Sequence, residues 1–397
     1  MTYQSATMSN VPQEIVDHIV DLLSFDQQTL FAVSLVSRAW NTASRPHIFR
    51  SIDLSVIDTH RLADLQRFLS HYIDLYALLH RNPRLVYYIR EVTIGGVLSP
   101  ILSPWKFVEK IFVKITGKLC QVQFLRLREV MWIYLSDEAR HALITLCRLP
   151  TIQQLVLYNC QLPNFSELAL LLRSPRTLEN LQLSHIRTQK SSQRRRGLVV
   201  PRHCSIQQLV IAGSEVRPII AGILDPSCCL NFSGLRKLEI TGIKDALTIG
   251  QVLTLAGSHL EELTLSAASE YVPEGTIGDD VNFALTPRLR HAELQGVQFT
   301  RKYSGVPCVT NLLRTRGVPS NLESVLISMV VDNHKVDWTE WQAIDQELAD
   351  AGFRSLQKVE VIVHMRSRAE QRKIQRSLEV QFPKLSSKNL LSIMYCI

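Results

Sequence analysis

A triplet of apolar residues, spaced by three and then by two, recurs along most of this chain. It stands at Ile89-Val92-Ile94, Val122-Leu125-Leu127, Ile152-Leu155-Leu157, Leu178-Leu181-Leu183 and Ile206-Leu209-Ile211. It continues at Leu235-Leu238-Ile240, Leu260-Leu263-Leu265, Leu289-Ala292-Leu294, Leu322-Val325-Ile327 and Leu356-Val359-Val361. Successive copies begin 33, 30, 26, 28, 29, 25, 29, 33 and 34 residues apart, a spacing too even to arise by chance. The last two positions of each triplet alternate as in a strand and so share one face. Between the triplets run helical stripes: Trp105, Val108, Phe112, Ile115 and Leu119; Ala139, Leu143 and Leu146; Trp341, Ile344 and Leu348.

A strand and a helix of this size cannot bury their apolar faces alone, so each unit must stack on its neighbours. On these residues the chain resembles the leucine-rich repeat proteins. The resemblance implies an α/β solenoid, a horseshoe of about ten irregular repeats with parallel strands on the concave side and helices outside. The family period is ~20 to 29 residues, and several units here are longer. The asparagine ladder of the family is mostly missing, with Asn159 its nearest match. The stretch from Thr59 to His80 reads as a helix with Leu62, Leu65, Phe68 or Leu69, Ile73 and Tyr76 on one side, expected to cap the open end of the stack. Ala369 to Val380 reads as a helix and Leu390 to Cys396 as a closing strand.

Residues 11 to 49 have a different pattern. Ile15, Ile19 and Leu22 or Leu23 fall on one helical stripe after Pro12, and Leu30, Val33 and Val36 or Ser37 lead towards Trp40. Two or three short helices bury too little surface to stand comfortably alone, which suggests a docking module. Val11-Pro12, Glu14-Ile15, Leu30 and the run Leu35-Val36-Ser37-Arg38 with Trp40 resemble an F-box, over about a tenth of the chain. The family places Leu before the proline where this chain has Val11. Arg45 to Ile52 resembles the exit from the motif in many fungal F-box proteins. The resemblance implies docking onto the small adaptor subunit of a cullin–RING (SCF-type) ubiquitin ligase through Val11, Pro12, Glu14, Ile15, Ile19, Leu30, Leu35, Val36 and Trp40.

The expected organisation is a disordered tail over 1–9, an F-box over 10–52, a helical linker and N-terminal cap over 53–84, and a leucine-rich-repeat solenoid over 85–397 with a basic loop at 187–202. Strand residues flanking the core positions form the expected target surface, with Phe124, Arg126, Arg128, Tyr158, Gln182, Lys237, Glu239, Glu262, His291 and Glu293 as candidates. Apart from Phe124, Arg126 and Arg128 this face is polar and mixed in sign, which suits a protein better than a phosphate backbone.

Six of the net +8 charges, Arg187, Lys190, Arg194, Arg195, Arg196 and Arg202, sit in one acid-free run, so the rest of the chain is nearly neutral. Like-charge runs usually stay solvated. Nucleic acid is therefore the disfavoured partner, and phosphorylation at Ser191 or Ser192 would be a way to switch the run. No apolar segment approaches the ~18 residues that cross a bilayer, and the polar start MTYQSATMSN lacks a signal-peptide core. The expected residence is cytoplasmic or nuclear, with no membrane partner. The eight cysteines, including adjacent Cys228 and Cys229, lack paired ligand spacing and read as reduced core residues. Neither phosphate loops, zinc-protease motifs nor nucleophile elbows occur, and Asp279 and Asp280 are adjacent and would diverge. No metal, cofactor or catalytic residue is expected. The reading is a non-catalytic substrate receptor of a ubiquitin ligase; the alternatives are a leucine-rich-repeat scaffold or inhibitor, and a nucleic-acid-associated protein using the basic run.

Overall fold

The computed structural model describes residues 11–55, 62–97, 105–173, 175, 177–188, 204–225, 228, 230–243, 246–267, 282–299, 304–314, 320–331, 337–365 and 368–396. The expected tail over 1–9, the basic run from Lys190 to Arg202, Cys229 and the Asp279-Asp280 pair lie outside these residues. Two units divide the chain, Met1–Gln153 and Gln154–Ile397.

Three short helices open the first unit: α1 (Gln13–Leu22), α2 (Gln27–Ser34) and α3 (Arg38–Ile48). Their core is Val16, Val20, Leu30 and Ile48, with Leu23, Trp40, Ala43 and Phe49 packed against it. The buried face of α1 is thus Val16 and Val20, one residue round from the Ile15–Ile19 stripe. Asp26 starts α2 by accepting from the Thr29 amide and hydroxyl, and Ser37 starts α3 by accepting from the Trp40 amide.

After α3 the chain enters a strand at once. β1 (Ser51–Ser55), α4 (Leu62–Arg81), β2 (Glu91–Val97), α5 (Trp105–Thr116), β3 (Phe124–Val130) and α6 (Asp137–Cys147) follow in order. The three strands are parallel, with Ile52 opposite Val92 and Leu125, and Leu54 opposite Ile94 and Leu127. Phe49-Ile52-Leu54 is therefore one more copy of the triplet, placed where the F-box and linker were expected to meet. The expected boundary at 52/53 cuts through β1, and 53–84 is not a helical linker throughout. Nor is α4 a cap: it is the crossover from β1 to β2, and buried Tyr72 donates its hydroxyl to the Leu54 carbonyl at 2.6 Å. That bond satisfies a phenol whose burial pushes its pKa far up. The inner face of α4 carries Phe68, Tyr72 and Leu79, while Ile73 is exposed. The side chains of Leu62, Leu65 and Trp105 lie outside the described ones.

The second unit holds β4 (Gln154–Tyr158), β5 (Gln161–Leu162), α7 (Phe165–Leu172), β6 (Asn180–Ser184), β7 (Arg187–Thr188), β8 (Cys204–Ser205), β9 (Gln208–Ala212), α8 (Val216–Ile223), β10 (Leu230–Asn231), β11 (Lys237–Ile243), α9 (Ala246–Ala256) and β12 (Glu262–Ala267). β13 (His291–Phe299), α10 (Val306–Leu313), β14 (Ser324–Val331), α11 (Trp341–Ala349), β15 (Lys358–Met365), α12 (Arg368–Glu379), α13 (Pro383–Ser387) and β16 (Leu391–Cys396) complete it. Its main sheet runs β4-β6-β9-β11-β12-β13-β14-β15-β16 in chain order, all parallel. Leu155, Leu181, Leu209, Leu238, Leu263, Ala292, Val325 and Val359 face each other in one continuous register.

All thirty residues of the ten triplets are buried, none more than 7% exposed. At about 1.5–3 kcal/mol for each large side chain taken out of water, these rows are the main source of cohesion. Just before most strands, one backbone carbonyl accepts two amides of the next copy; the Arg236 carbonyl takes Glu261 and Glu262 at 2.8 and 2.9 Å.

A second regularity lies seven residues after the first triplet position. In seven copies this residue has a left-handed backbone: Gly96, Glu129, Asn159, His185, Gly213, Gly242 and Gly296. Such a conformation ends the strand and is easiest for Gly or Asn. The freed amides of Asn159, His185 and Gly213 donate to Ser184, Ala212 and Thr241 carbonyls of the next strand. This recurring turn stands where an asparagine ladder is expected. In the last two copies the place falls to buried Met329 and Val363, and β14 and β15 run on for eight residues.

Among the described residues no helix is long and apolar enough to cross a membrane. Cys147, Cys160, Cys204 and Cys228 are buried, and burial pushes the Cys147 thiol up to about 12. Cys396 is exposed, outside the core where it was expected.

Candidate functional site

Two surfaces carry the candidate residues. On the helical module, Val11, Ile15, Leu22, Phe25, Phe31, Leu35 and Val36 are exposed, half of the fourteen large apolar residues exposed among those described. The α2–α3 connection explains the last two. Leu35 and Val36 close the end of α2 with bonds to Ala32 and Val33 carbonyls. Asn41 reaches back to the Ser34 carbonyl at 3.0 Å, and Ser37 caps α3. This tight corner leaves both apolar side chains in water, Leu35 at 85% exposure. On the neighbouring helix, His47 meets Asp21 at 3.0 Å, tying α3 to the end of α1.

Of the nine residues expected to dock a partner, Val11, Pro12, Glu14, Ile15, Leu35 and Val36 are exposed and Ile19 is half-buried. Leu30 is 1% exposed and cannot reach a partner; it joins α2 to Val16, Val20 and Ile48. Trp40 is half-buried and packed against the same core. Both were selected by motif spacing, which does not separate a residue that builds the module from one that shows outward. Leu22, Phe25 and Phe31 were missed as surface residues. Their signal was present: a Phe in the Ser24-Phe25-Asp26 break between helices has no stripe to belong to.

On the strands of the second unit, Gln182, Val210, Glu239, Thr264 and Glu293 occupy one cross-strand row. Lys237, Glu262 and His291 are neighbours in the adjacent row. Most of these side chains are committed to one another. Lys237 Nζ lies 2.9 Å from Glu262; that hydrogen bond, with the charges of Glu262, Glu239 and Glu293, holds the ammonium above its ordinary pKa. Glu293 accepts from Gln295 at 2.7 Å, Lys358 meets Glu360 at 2.8 Å, and His291 Nδ1 lies 2.8 Å from Ser324 Oγ. Tyr158 is exposed at the end of β4, its ring edge-on to His185. In the first unit, Phe124, Arg126 and Arg128 lie on β3, with the Arg126 guanidinium 4.9 Å from the Phe124 ring centre. Val156 and Ser184 also flank core positions of their strands, yet each is only 4% exposed and cannot belong to such a surface.

Among the described residues no group of three His, Cys, Asp or Glu side chains could hold a metal ion.

A family model described as F-box domain matches residues 8–51. No curated protein matches the chain. Among solved structures, a protein from Bacteroides fragilis is similar over 77% of this chain and 67% of its own, at 11% identity and a TM-score of 0.34.

Proposed function

We propose that this chain is a substrate-recognition subunit of a cullin–RING (SCF-type) ubiquitin ligase, acting in the cytoplasm or nucleus. The observation that carries this reading is the exposed set Val11, Ile15, Leu22, Leu35 and Val36 on helices that match the F-box domain. So many exposed apolar side chains on a small module are characteristic of a protein interface, and the adaptor subunit is the partner that F-box domains take. The parallel-strand region supplies the second half, a polar face that would hold a target protein. We read it as a leucine-rich-repeat solenoid, supported by the ten buried triplets. In such a receptor, catalysis comes from holding the target near the charged conjugating enzyme, and no residue of this chain takes part in the chemistry.

Co-purification with the adaptor tests the proposal. The intact chain should capture it, and Ile15→Asp with Leu35→Asp should together weaken capture by roughly a thousandfold, as expected for two hot-spot residues worth ~2 kcal/mol each. Both residues are exposed, so the melting temperature should not move. Failure of the intact chain to bind adaptor, or unchanged capture by the double variant, would sink the ligase reading and leave a non-ligase scaffold.

A further inference from the structure

The polar residues on the second unit's strand face are largely paired with each other, but one group is not. At the turn end of β4, β6 and β9, a cleft of about 240 Å³ is lined by Tyr158, Asn159, His185, Arg187 and Ser214. Among the described residues, Asn159, His185, Arg187 and Ser214 give their side chains to no hydrogen bond or ion pair. None of the five lining residues is acidic.

The fold creates this cleft through the left-handed turns. Asn159 and His185 take the turn position in neighbouring copies, with φ of 50° and 54°, so their side chains leave the sheet together. The next copy has Gly213 there. A Cβ on Gly213 would sit 3.1 Å from His185 Cα and 3.5 Å from its Nδ1; the missing side chain keeps the space beside the imidazole open. Arg187 is fixed from behind, since its amide donates to the Cys160 carbonyl at 3.0 Å and β7 pairs with β5. The Tyr158 ring stands edge-on to His185 at 5.8 Å and forms the other wall.

We infer that this cleft binds an oxyanion, the carboxylate or phosphoryl group of a side chain on the recognised target. The inference deepens the target-binding reading of the strand face and rests on it. A guanidinium with no carboxylate partner, beside an amide, an imidazole and hydroxyls, is a donor-rich set suited to bidentate recognition of such a group. The paired charges elsewhere on the face, such as Lys237 with Glu262, are already neutralised and would need to be broken first.

The test is calorimetric titration of the full-length chain with inorganic phosphate, O-phosphoserine and N-acetylglutamate. Saturable binding is expected, weakened about tenfold or more in Arg187→Gln through loss of a charge-assisted pair. Ser214→Ala should weaken it less, and Arg290→Gln, at a guanidinium already paired with Glu323 at 2.7 Å, should leave it unchanged. The stronger of the two amino-acid probes identifies the source of the oxyanion as phosphoryl or carboxylate. Absence of saturable binding by all three probes would overturn the inference. So would a loss caused by joint replacement of Arg194, Arg195 and Arg196 with Ser while Arg187→Gln is silent, because the anion would then belong to the basic run. Adaptor capture is measured on the same samples. Capture without anion binding removes the cleft inference alone; anion binding without capture keeps the cleft and removes the ligase reading.

Discussion

The helices α1 to α3 and the strands of the second unit use the same residue types to opposite ends. In the strands, each Leu, Ile or Val of the triplets points inward, and the large side chains are almost completely buried. In the helices, Val16, Val20 and Leu30 are buried while Ile15, Leu22, Leu35 and Val36 stand in water. The strands use apolar residues to cohere; the helical module uses roughly half of them to cohere and leaves the rest in water. That difference separates buried from exposed apolar side chains residue by residue, and identical substitutions in the two regions should have different consequences.

The sharpest break would come from replacing Leu by Ala once in each region. Leu238 is fully buried between β9 and β12, so Leu238→Ala should cost about 2–5 kcal/mol in denaturant unfolding. Leu35→Ala, at an exposed corner, should change stability by less than about 0.5 kcal/mol while weakening adaptor capture. Equal destabilisation by the two would erase the contrast. Within the helical module the same division should repeat on a smaller scale. Leu30→Ala should destabilise the three helices by about 2–3 kcal/mol, the lower end for a core small enough to collapse. Ile15→Ala should leave their hydrogen-exchange protection as it was.

The strands were legible because a period of two permits only two faces, and ten copies agreed on which face is inside. The helices were less so. A helix carrying apolar residues at 15, 16, 19, 20, 22 and 23 offers two stripes one residue apart, and the pattern cannot say which one meets the core. The same ambiguity turned α4, where Tyr72 rather than Ile73 faces inward because its hydroxyl has the Leu54 carbonyl to reach. β1 is harder to see because two patterns overlap at Phe49 and Ile52, which fit both the exit of an F-box and the first two positions of a triplet. The cleft could have been approached from sequence. Gly96, Gly213, Gly242 and Gly296 all stand seven places after a triplet start, which marks a turn, and His185 and Asn159 occupy the equivalent places. What sequence could not supply was which polar side chains remain unpaired there.

A cap comparison gives the next, smaller effect. Ser37 holds the start of α3 through the Trp40 amide, and Ser136 holds α6 through the Ala139 amide at 3.2 Å. Each Ser→Ala should cost about 1 kcal/mol. In α6, Ala139, Leu143 and Leu146 are all buried, so the loss should appear as a uniform decrease in stability. In α3, which has a thinner core behind it, the loss should appear first as faster amide exchange at residues 38–41 and as weaker adaptor capture, since Leu35 and Val36 hang on that corner. A uniform response in α3 would mean the helical module opens only with the rest of its unit.

The smallest effect concerns acid. Asp26 at the start of α2 accepts from Thr29, and Asp337 ahead of α11 accepts from Thr339. In both, the side-chain hydrogen bond to threonine and the backbone bond beside it hold the carboxyl below its ordinary pKa. A folded pKa lower than the unfolded one means each group stabilises its turn above the unfolded value. That contribution is lost as pH falls through the depressed folded value, below about pH 4. The behaviour should diverge because the two caps have different packing behind them. Behind Asp337 lie Trp338 and Trp341, 6% and 0% exposed, which hold the turn after the carboxylate is protonated. Behind Asp26 the first turn of α2 has Leu30 in the core but Phe31 half exposed, so protonation should let the helix start fray. Amide exchange corrected for its intrinsic pH dependence should rise at Thr29 and Leu30 below about pH 4 and stay flat across α11. In Asp26→Asn the rise should disappear, because the amide side chain no longer titrates. A parallel rise at both helix starts would show that the buried tryptophans do not distinguish them, and that the strand region is no better held at its caps than the N-terminal helices.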